Sequence, residues 1–379
     1  QHVLVEGHRI YDKTTFQYRL LSEVTGDGLL TSGGTLWRER RRIQQPAFHH
    51  SRLALVAHAT SRATERMWQR WTAANARQVD VASEMMRLSL DVVLDVLFGM
   101  APDDRSPALV EATVGVLDHL IHRSRSIPGV PSWASPWRHR RFLRSLNLLD
   151  QAILDIIDAR RRAAPTGDEA NLLDLLIAAE QEQRISPARV RNEMLTMIIA
   201  GHETVASALT WCWSLLANRP DLEDRLAHEA DRSQIDPGKA AASLRTARNT
   251  VSEALRLYPP AWLVSRSSTA GRGSSKWLPK GTLVLLSPYV TQRHAAYWSD
   301  PESFEPDRFD QGITKGSYFP FGTGPRQCIG RDFALVEAVI VLSEVSKRCR
   351  LKPVMPARRE YAGVTLQPEG GLKVAVVPR

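Results

Sequence analysis

The amino-acid sequence predicts a mainly α-helical fold with small β-sheets, and two observations lead to this prediction. Apolar residues recur at intervals of three and four in several long segments, which is the spacing of an amphipathic helix. Alternation typical of strands is confined to two short segments. No internal repeat is visible, so we expect a single domain spanning residues 1–379.

Helical and strand-like segments follow one another along the chain. The helical segments are residues 51–71, 83–99, 146–162 and 187–220. The last of these is expected to be a long central helix. Strands are predicted within residues 281–290 and 363–377, and EGG at 369–371 predicts a hairpin turn in the second. The Pro- and Trp-rich segment 127–141 is predicted to be a loop between helices rather than a domain linker.

Composition restricts the classes of protein to which the chain can belong. Its 379 residues are 43% hydrophobic and 24% charged, which is ordinary for a globular protein. The longest apolar runs, residues 172–179 and 334–342, are shorter than the roughly 18 residues of a bilayer span, and acidic residues interrupt both. The first residues lack the apolar centre and cleavage site of a signal peptide. Neither a membrane span nor a secretion signal is therefore expected.

Cysteine usage and charge predict the compartment and the kind of partner. Cys212, Cys328 and Cys349 are widely separated and form no CxxC pair, so a reducing, cytoplasmic location is expected. The net charge is +9, but the 50 lysines and arginines are spread along the chain rather than gathered in one arm. This distribution argues against nucleic acid binding. A basic surface is instead suited to attracting an acidic protein partner.

One cysteine occupies a distinctive position. The segment FGTGPRQCIGRDFALVEA (321–338) places Cys328 between a glycine-rich turn and the start of a predicted helix. Free N–H groups and the helix dipole favour a thiolate there, so the pKa of Cys328 is expected to be lowered. Gly322 and Gly324 permit a tight turn whose N–H groups bond the sulfur, and Gly330 permits close approach of a flat group. A buried cysteine in an ordinary turn is the alternative interpretation.

The pattern FGxGxRxCxG, from Phe321 to Gly330, resembles the haem-binding loop of the cytochrome P450 family. The resemblance implies that Cys328 is the axial thiolate ligand of the iron of haem b. It also implies that Phe321, Gly322 and Gly330 contact the cofactor. Further motifs extend the resemblance along the whole chain in the family's order. An N-terminal helix and outer strands that are usual in the family have no counterpart in this sequence.

The motif AGHET (200–204) lies in the middle of the long predicted helix, as the oxygen-activation motif of the family does. Thr204 can donate a hydrogen bond to the Ala200 carbonyl, and with Gly201 this loosens the helix and leaves room for O2. Glu203 and Thr204 are the predicted catalytic residues, with Glu203 as a proton carrier, and Ala200 and Gly201 are predicted to contact the cofactor. A packing site of small residues is the alternative.

Glu253 and Arg256 match the ExxR motif of the family and lie on one face of a predicted helix. An exposed pair at this spacing contributes only about 0.2–0.5 kcal/mol and is common by chance. FEPDRF (304–309) follows, with Asp307 where the family usually has Glu. The resemblance implies that Arg308 joins Glu253 and Arg256 in a buried triad behind the cysteine loop.

Four further residues match the propionate ligands of the family. Trp37 and Arg41 are four apart in LWRERRRIQQPAF (36–48), and the resemblance implies that this pair bonds a haem propionate. Arg266 and Arg326 match the other ligands, and the forked guanidinium group is suited to carboxylates. Taken singly, each arginine is also explained as a solvated surface charge.

The resemblance implies a monooxygenase that inserts one oxygen atom from O2 into a C–H or C=C bond. Its electrons are expected from a ferredoxin or flavodoxin with its reductase, and the protein is expected to be a monomer. A haem-binding sensor or carrier is the alternative, against which AGHET argues, because a carrier has no need of an acid and an alcohol beside the haem.

The segments expected to face the substrate are mainly apolar, which predicts a hydrophobic small molecule such as a fatty acid, a terpene or a polyketide. These segments are residues 18–34, 127–137, 260–264 and 368–371, together with Met194, Met197 and Ile198.

Overall fold

The structure is a computed structural model that describes residues 1–100, 106–126, 135–163, 170–232, 243–269, 278–355 and 359–379. It confirms the mainly helical fold with small antiparallel sheets. The helices are α1 (Phe16–Thr25), α2 (Gly34–Gln44), α3 (Leu53–Ala73), α4 (Val81–Phe98), α5 (Ser106–Arg125), α6 (Pro136–Arg162), α7 (Leu172–Gln181), α8 (Pro187–Leu216), α9 (Pro220–Arg232), α10 (Arg245–Leu257), α11 (Pro288–Thr291) and α12 (Arg331–Arg348).

Local signals explain where several helices begin and end. Asp80 caps α4 by accepting a hydrogen bond from the Ala82 N–H, and Gly99 ends the helix in the left-handed conformation. The predicted long helix 187–220 is α8, which starts at Pro187 as predicted but ends at Leu216, since Pro220 already starts α9. The predicted loop 127–141 is helical from residue 136 onward, and its residues 127–134 lie outside the described ranges.

The strands are β1 (Tyr11–Asp12), β2 (Gln78–Asp80), β3 (Val264–Ser268), β4 (Leu283–Leu286), β5 (Cys349–Pro353), β6 (Glu360–Ala362), β7 (Leu366–Pro368) and β8 (Lys373–Pro378). They form three sheets, in the orders β1-β3-β4, β2-β8-β5 and β6-β7. The strands on either side of the turn at residues 369–371 join different sheets, because β7 pairs with β6 while β8 pairs with β2 and β5. The hairpin predicted at that turn is therefore wrong.

The long helix α8 runs through the centre of the molecule. It packs against α4 along much of its length and also contacts α6, α10 and α12. Most of its side chains from Glu193 to Trp213 are buried, as expected for a helix surrounded by others. A connected cluster of buried apolar residues extends from α1 to β8 and includes both α8 and α12. This packing fixes the AGHET segment relative to the loop that precedes α12.

None of the helices in the described ranges has both the length and the apolar composition that crossing a bilayer requires.

Candidate active site

A cavity of about 850 Å³ lies between α8, the loop before α12 and the segment that follows α10. It brings together residues that are far apart in the sequence. The predicted site residues that line it are Trp37, Arg41, Ala200, Gly201, Glu203, Thr204, Arg266, Phe321, Gly322, Arg326, Cys328 and Gly330. Glu253, Arg256 and Arg308 do not line it and form a separate cluster, described below.

The segments predicted to face the substrate are only partly those that line the cavity. Residues 260–264 and Met197 line it, whereas Met194 and Ile198 are buried in the core. The reason is helical geometry, since Met194 and Ile198 are four apart on a different stripe of α8 from Met197 and Thr204. Residues 362–365, rather than the turn 368–371, complete the lining.

The loop that carries Cys328 is held by its own backbone. The Cys328 N–H donates to the Phe321 carbonyl over 2.9 Å, and a short 3-10 turn, Gly324–Arg326, lies between them. Gly322 and Gly324 have φ angles of 67° and 74°, a region that favours glycine. A Cβ at Gly324 would also overlap the Leu4 carbonyl oxygen. Glycine is therefore required at 324 by both conformation and space.

Cys328 is exposed because its side chain opens onto the cavity, while the protein that packs behind it desolvates the thiol. Burial raises its pKa, and this outweighs the opposing effects of the Gly330 N–H, Arg41 and Arg331. The lowering of the pKa that the start of a helix predicts is therefore outweighed by desolvation. The N–H that reaches the sulfur belongs to Gly330, the N-cap of α12, rather than to the earlier glycines. A metal ion that displaces the thiol proton would remove the cost of burying an unpaired thiolate.

Three arginines that line the cavity donate to neutral groups rather than to carboxylates. Arg41 donates to the Gln327 carbonyl at 3.1 Å, and Arg326 donates to the Ser32 carbonyl at 2.7 Å. The Arg326 guanidinium also lies over the Trp37 ring, 4.2 Å from its centroid. Arg266 donates to the carbonyl of its neighbour Ser265 at 2.8 Å.

Lys13 is a fourth cation of this group, and the sequence analysis missed it. It is buried beside Arg266 and Arg326, and its Nζ donates to the Leu30 carbonyl at 2.7 Å. Burial, reinforced by repulsion from the two arginines, lowers the pKa of Lys13 well below its usual range. Burial and Arg266 likewise lower the pKa of Arg326 to about 10. Lys13 lies in no motif, and only the pairing of β1 with β3 brings it near Arg266.

These four cations have no carboxylate partner among the described residues, and such a cluster fits an anionic group with two carboxylates. The cavity places a thiol within the same space as this cluster. The thiol and the cations together are therefore a donor set that fits haem, which combines a metal ion with two carboxylates.

AGHET lies within α8, which is continuous from Pro187 to Leu216. The Thr204 hydroxyl donates to the Ala200 carbonyl over 2.8 Å, the bond proposed from the sequence. Gly201 has a packing role as well, since a Cβ there would lie 2.9 Å from the Val93 methyl of α4. The small residue thus allows α4 and α8 to approach each other beside the cavity.

Glu203 is 5% exposed, and its carboxylate is not bonded to Thr204. Oε1 accepts from the Thr365 hydroxyl at 2.8 Å and from the Gln367 amide at 2.9 Å. Burial raises the pKa of Glu203 to about 7, and Asp118 adds to the rise, while the two hydrogen bonds oppose it. A carboxyl group with such a pKa can take up and release a proton near neutral pH.

Glu253, Arg256 and Arg308 lie together. Glu253 accepts two hydrogen bonds from Arg256, at 2.7 and 2.8 Å, and one from Arg308 Nε at 2.9 Å. Glu253 and Arg256 are fully buried, and Arg256 also donates to the carbonyls of Gln292, Pro301 and Ser303. Most donors of Arg256 are therefore satisfied, as a buried charge requires.

The chain is similar to known proteins over nearly its whole length. The family model for Cytochrome P450 matches residues 1–374. The chain is 35% identical to cyclooctatin synthase of Streptomyces melanosporofaciens, over 93% of this chain and 79% of that protein. It is 28% identical to pentalenene oxygenase of Streptomyces avermitilis, over 92% and 79%. The crystal structure of CYP175A1 from Thermus thermophilus matches with a TM-score of 0.79 at 36% identity, over 98% of this chain and 86% of that one.

The family model spans nearly the whole chain, and the relatives include named oxygenases. This agrees with a cavity that combines a cysteine thiol with unpaired cations. The chain belongs to the cytochrome P450 family and is a haem-dependent monooxygenase.

Proposed function

We propose that Cys328 ligates the haem iron and that Trp37, Arg41, Arg266 and Arg326 hold the propionates. The observation that carries this proposal is the placement of one thiol and unpaired cations in a single cavity. Lys13 belongs to the same cluster, because it is buried beside Arg266 and Arg326. A bound anion would offset the repulsion among these three positive charges.

The remaining predicted residues shape the space around the cofactor. Ala200 and Gly201 offer a flat surface on α8, and Phe321, Gly322 and Gly330 do so on the other wall. The buried cluster of Glu253, Arg256 and Arg308 anchors the segments behind the cysteine loop, including the carbonyls of 292, 301 and 303. Its role is structural, since none of its members lines the cavity.

Glu203 and Thr204 are the proposed proton-delivery residues. Haem bound in the cavity supplies the activation of O2 and the transfer of one oxygen atom to the substrate. Glu203 can exchange a proton near neutral pH, and the Thr204 hydroxyl lies one residue away on the cavity wall. Together they can pass protons into a space that the surrounding apolar side chains keep from bulk water.

We infer that the substrate is a neutral, hydrophobic terpene-like molecule. Two similar proteins, cyclooctatin synthase and pentalenene oxygenase, are bacterial oxygenases that act on terpenes. Away from the cation cluster, the cavity is lined mainly by aliphatic side chains, including Leu20, Leu29, Ile121, Leu263 and Val364. Such a lining binds hydrocarbon by burial of apolar surface rather than by polar contacts.

A spectral titration tests this substrate class. The purified ferric holoenzyme is titrated with a cyclic terpene hydrocarbon and with a saturated fatty acid of the same carbon number. We expect the terpene to shift the Soret band and the fatty acid to do so weakly. Arg125 lines the cavity, so an Arg125→Ala variant shows whether any fatty acid binding depends on this cation. A strong shift with the fatty acid alone, lost in Arg125→Ala, would contradict the proposal.

The Cys328→Ser variant tests the proposed ligand. A neutral hydroxyl does not replace an axial thiolate, so the reduced, CO-bound spectrum should lose its thiolate-type Soret band and oxygenation should cease. Cys349→Ala is the matched control, because Cys349 is buried in β5 away from the cavity. An unchanged spectrum in Cys328→Ser would refute the assignment.

We propose that electrons come from an acidic ferredoxin or flavodoxin with its reductase. Arg38 and Arg42 support this partner, because both are exposed on α2, the helix that also carries Arg41. Arg331 is also exposed, although it pairs with Asp332. The monomeric state stays a prediction, and so does the cytoplasmic location, which rests on the cysteine pattern.

A further inference from the structure

The β6–β7 hairpin is joined to α8 by a row of side-chain hydrogen bonds. Glu203, Ser207 and Trp211 are spaced four apart and share one stripe of α8. Ser207 Oγ and Trp211 Nε1 donate to the Leu366 carbonyl at 2.6 and 2.9 Å. Glu203 accepts from the residues on either side of Leu366. One stripe of α8 therefore contacts three consecutive residues of the chain.

The bonds around Glu203 form a closed ring. Thr365 and Gln367 both donate to Oε1 of Glu203, and the Gln367 amide also donates to the Thr365 hydroxyl at 3.0 Å. Because successive side chains of a strand alternate, Thr365 and Gln367 lie on the same face of the hairpin. Each side chain thus fixes the position of the other two.

The β6–β7 hairpin connects Glu203 with both the cavity and the surface of the protein. Thr365 is 4% exposed and lines the cavity together with Val364, whereas Gln367 is partly exposed. Glu203 itself also lines the cavity. The carboxyl group therefore lies between an outer side chain, Gln367, and the wall that carries Thr204.

Among the described residues, the charged groups of the neighbouring elements supply no cation to Glu203. From α5, Asp118 raises the pKa of Glu203, and Arg125 donates to the Ala362 carbonyl instead. The donors that stabilise the carboxylate are thus the neutral side chains of Thr365 and Gln367. Hydrogen bonds to the charged form favour that form.

We propose that Thr365 and Gln367 are positioning residues for Glu203. They hold its carboxyl group on the hairpin and determine how readily it exchanges a proton between the outer side of β7 and the cavity. This inference rests on the proposed proton-delivery role of Glu203. It places the entry point for protons at the β6–β7 hairpin, whose residues 362–365 also line the cavity.

The test uses the ferric holoenzyme and an infrared pH titration of the Glu203 carboxyl band, which is identified by its loss in Glu203→Gln. Thr365→Val and Gln367→Met each remove one donor to the carboxylate. We expect each change to raise the titration midpoint by about one pH unit, because a charge-assisted hydrogen bond is lost. The pH profile of product formed per NAD(P)H consumed should move in the same direction.

Two further variants act as controls. Thr365→Ser keeps the hydroxyl and should restore the wild-type midpoint. Thr210→Val removes a buried hydroxyl on α8 that donates only to the Ala206 carbonyl of its own helix, and it should leave the midpoint unchanged. If Thr365→Val does not fold, Gln367→Met carries the test, since Gln367 is partly exposed.

The outcomes separate this inference from the proposed function. A normal CO spectrum with an unmoved midpoint in both Thr365→Val and Gln367→Met would overturn the inference alone. A Glu203 band that shows no titration in any variant would overturn it as well. If the reduced, CO-bound wild-type protein shows no thiolate-type Soret band, that result would instead contradict the proposed haem ligation.

Discussion

Arg40 and Glu193 form a buried ion pair, with Arg40 Nη1 2.6 Å from Glu193 Oε1 and both side chains at most 3% exposed. The other carboxylate oxygen accepts from the Leu29 N–H at 2.8 Å. One acid of α8 therefore holds both α2, at the residue beside Arg41, and a loop residue that lines the cavity. Arg40 Nε and Nη2 are buried without a further hydrogen-bond partner in the described residues, so this pairing is the main compensation for its charge.

The pair leads to a stability prediction. Glu193→Ala should lower the free energy of unfolding of the holoenzyme by about 3–5 kcal/mol, because it leaves the Arg40 charge buried and unpaired. The double variant Arg40→Met with Glu193→Met should recover most of this loss, apart from the unsatisfied Leu29 N–H. Urea unfolding followed by circular dichroism measures both. Glu182→Ala, which breaks an exposed pair with Arg184, is the control and should have little effect.

Thr204→Ala should uncouple electron consumption from oxygenation. The variant loses the hydroxyl on the cavity wall but keeps the thiol and the cations, so haem content and substrate affinity should be retained. We expect NAD(P)H consumption to continue while product falls and peroxide rises. Thr210→Ala is the control, since its hydroxyl donates within α8 and the residue does not line the cavity. Full coupling in Thr204→Ala would remove Thr204 from proton delivery.

The electron-transfer partner is tested by reversing charges on α2. The double variant Arg38→Glu with Arg42→Glu should slow reduction by an acidic ferredoxin, because the reversed charges repel the partner that the arginines attract. The effect should be largest at low salt, because electrostatic attraction is screened beyond a Debye length of about 10 Å at 0.1 M salt. Substrate affinity and the CO spectrum should stay intact. Arg140→Glu with Arg144→Glu makes the matched change on α6, where the two arginines are also exposed and four apart. Equal reduction rates in both double variants would place the docking face elsewhere.

A buried acid of α12 predicts how stability depends on pH. Glu337 is 4% exposed, and burial raises its pKa from 4.5 to about 8, against the opposing Ser89 hydroxyl. The folded protein thus keeps a proton that the unfolded chain has lost, so stability falls as pH rises from 4.5 toward 8. At its steepest, this one group changes the free energy of unfolding by about 1.4 kcal/mol per pH unit.

Glu337→Gln should remove this slope and make the variant more stable than the wild type at pH values above 8. Chemical unfolding at a series of pH values measures the difference. Glu369→Gln is the control, because Glu369 is exposed in the turn after β7. A wild-type protein and a Glu337→Gln variant with parallel pH profiles would contradict a buried, neutral Glu337.

The sequence predicted those features that depend on neighbours within a few residues. Helical periodicity located α3 and α4 to within two residues at each end. The bond from Thr204 to Ala200 could be anticipated, because residues four apart on a helix are always adjacent. The spacing of FGxGxRxCxG likewise marked Cys328 and the glycines whose conformation the turn requires.

Features that depend on distant residues were decided only by the tertiary structure. Lys13 joins the arginine cluster through strand pairing, and Glu203 finds its donors 162 and 164 residues further along the chain. The turn at residues 369–371 predicts that β7 pairs with β8, but β7 pairs with β6. Local turn residues do not determine which strand becomes the neighbour.

The Cys328 thiol shows the same division most directly. Its place before a helix is visible in the sequence and predicts a lowered pKa, yet desolvation by the surrounding segments raises the pKa. A dipole effect is set by the local backbone, whereas desolvation depends on everything that packs around the atom. The sequence by itself thus determined which residues are proposed to carry the chemistry, and the tertiary structure determined their partners, their burial and therefore their protonation.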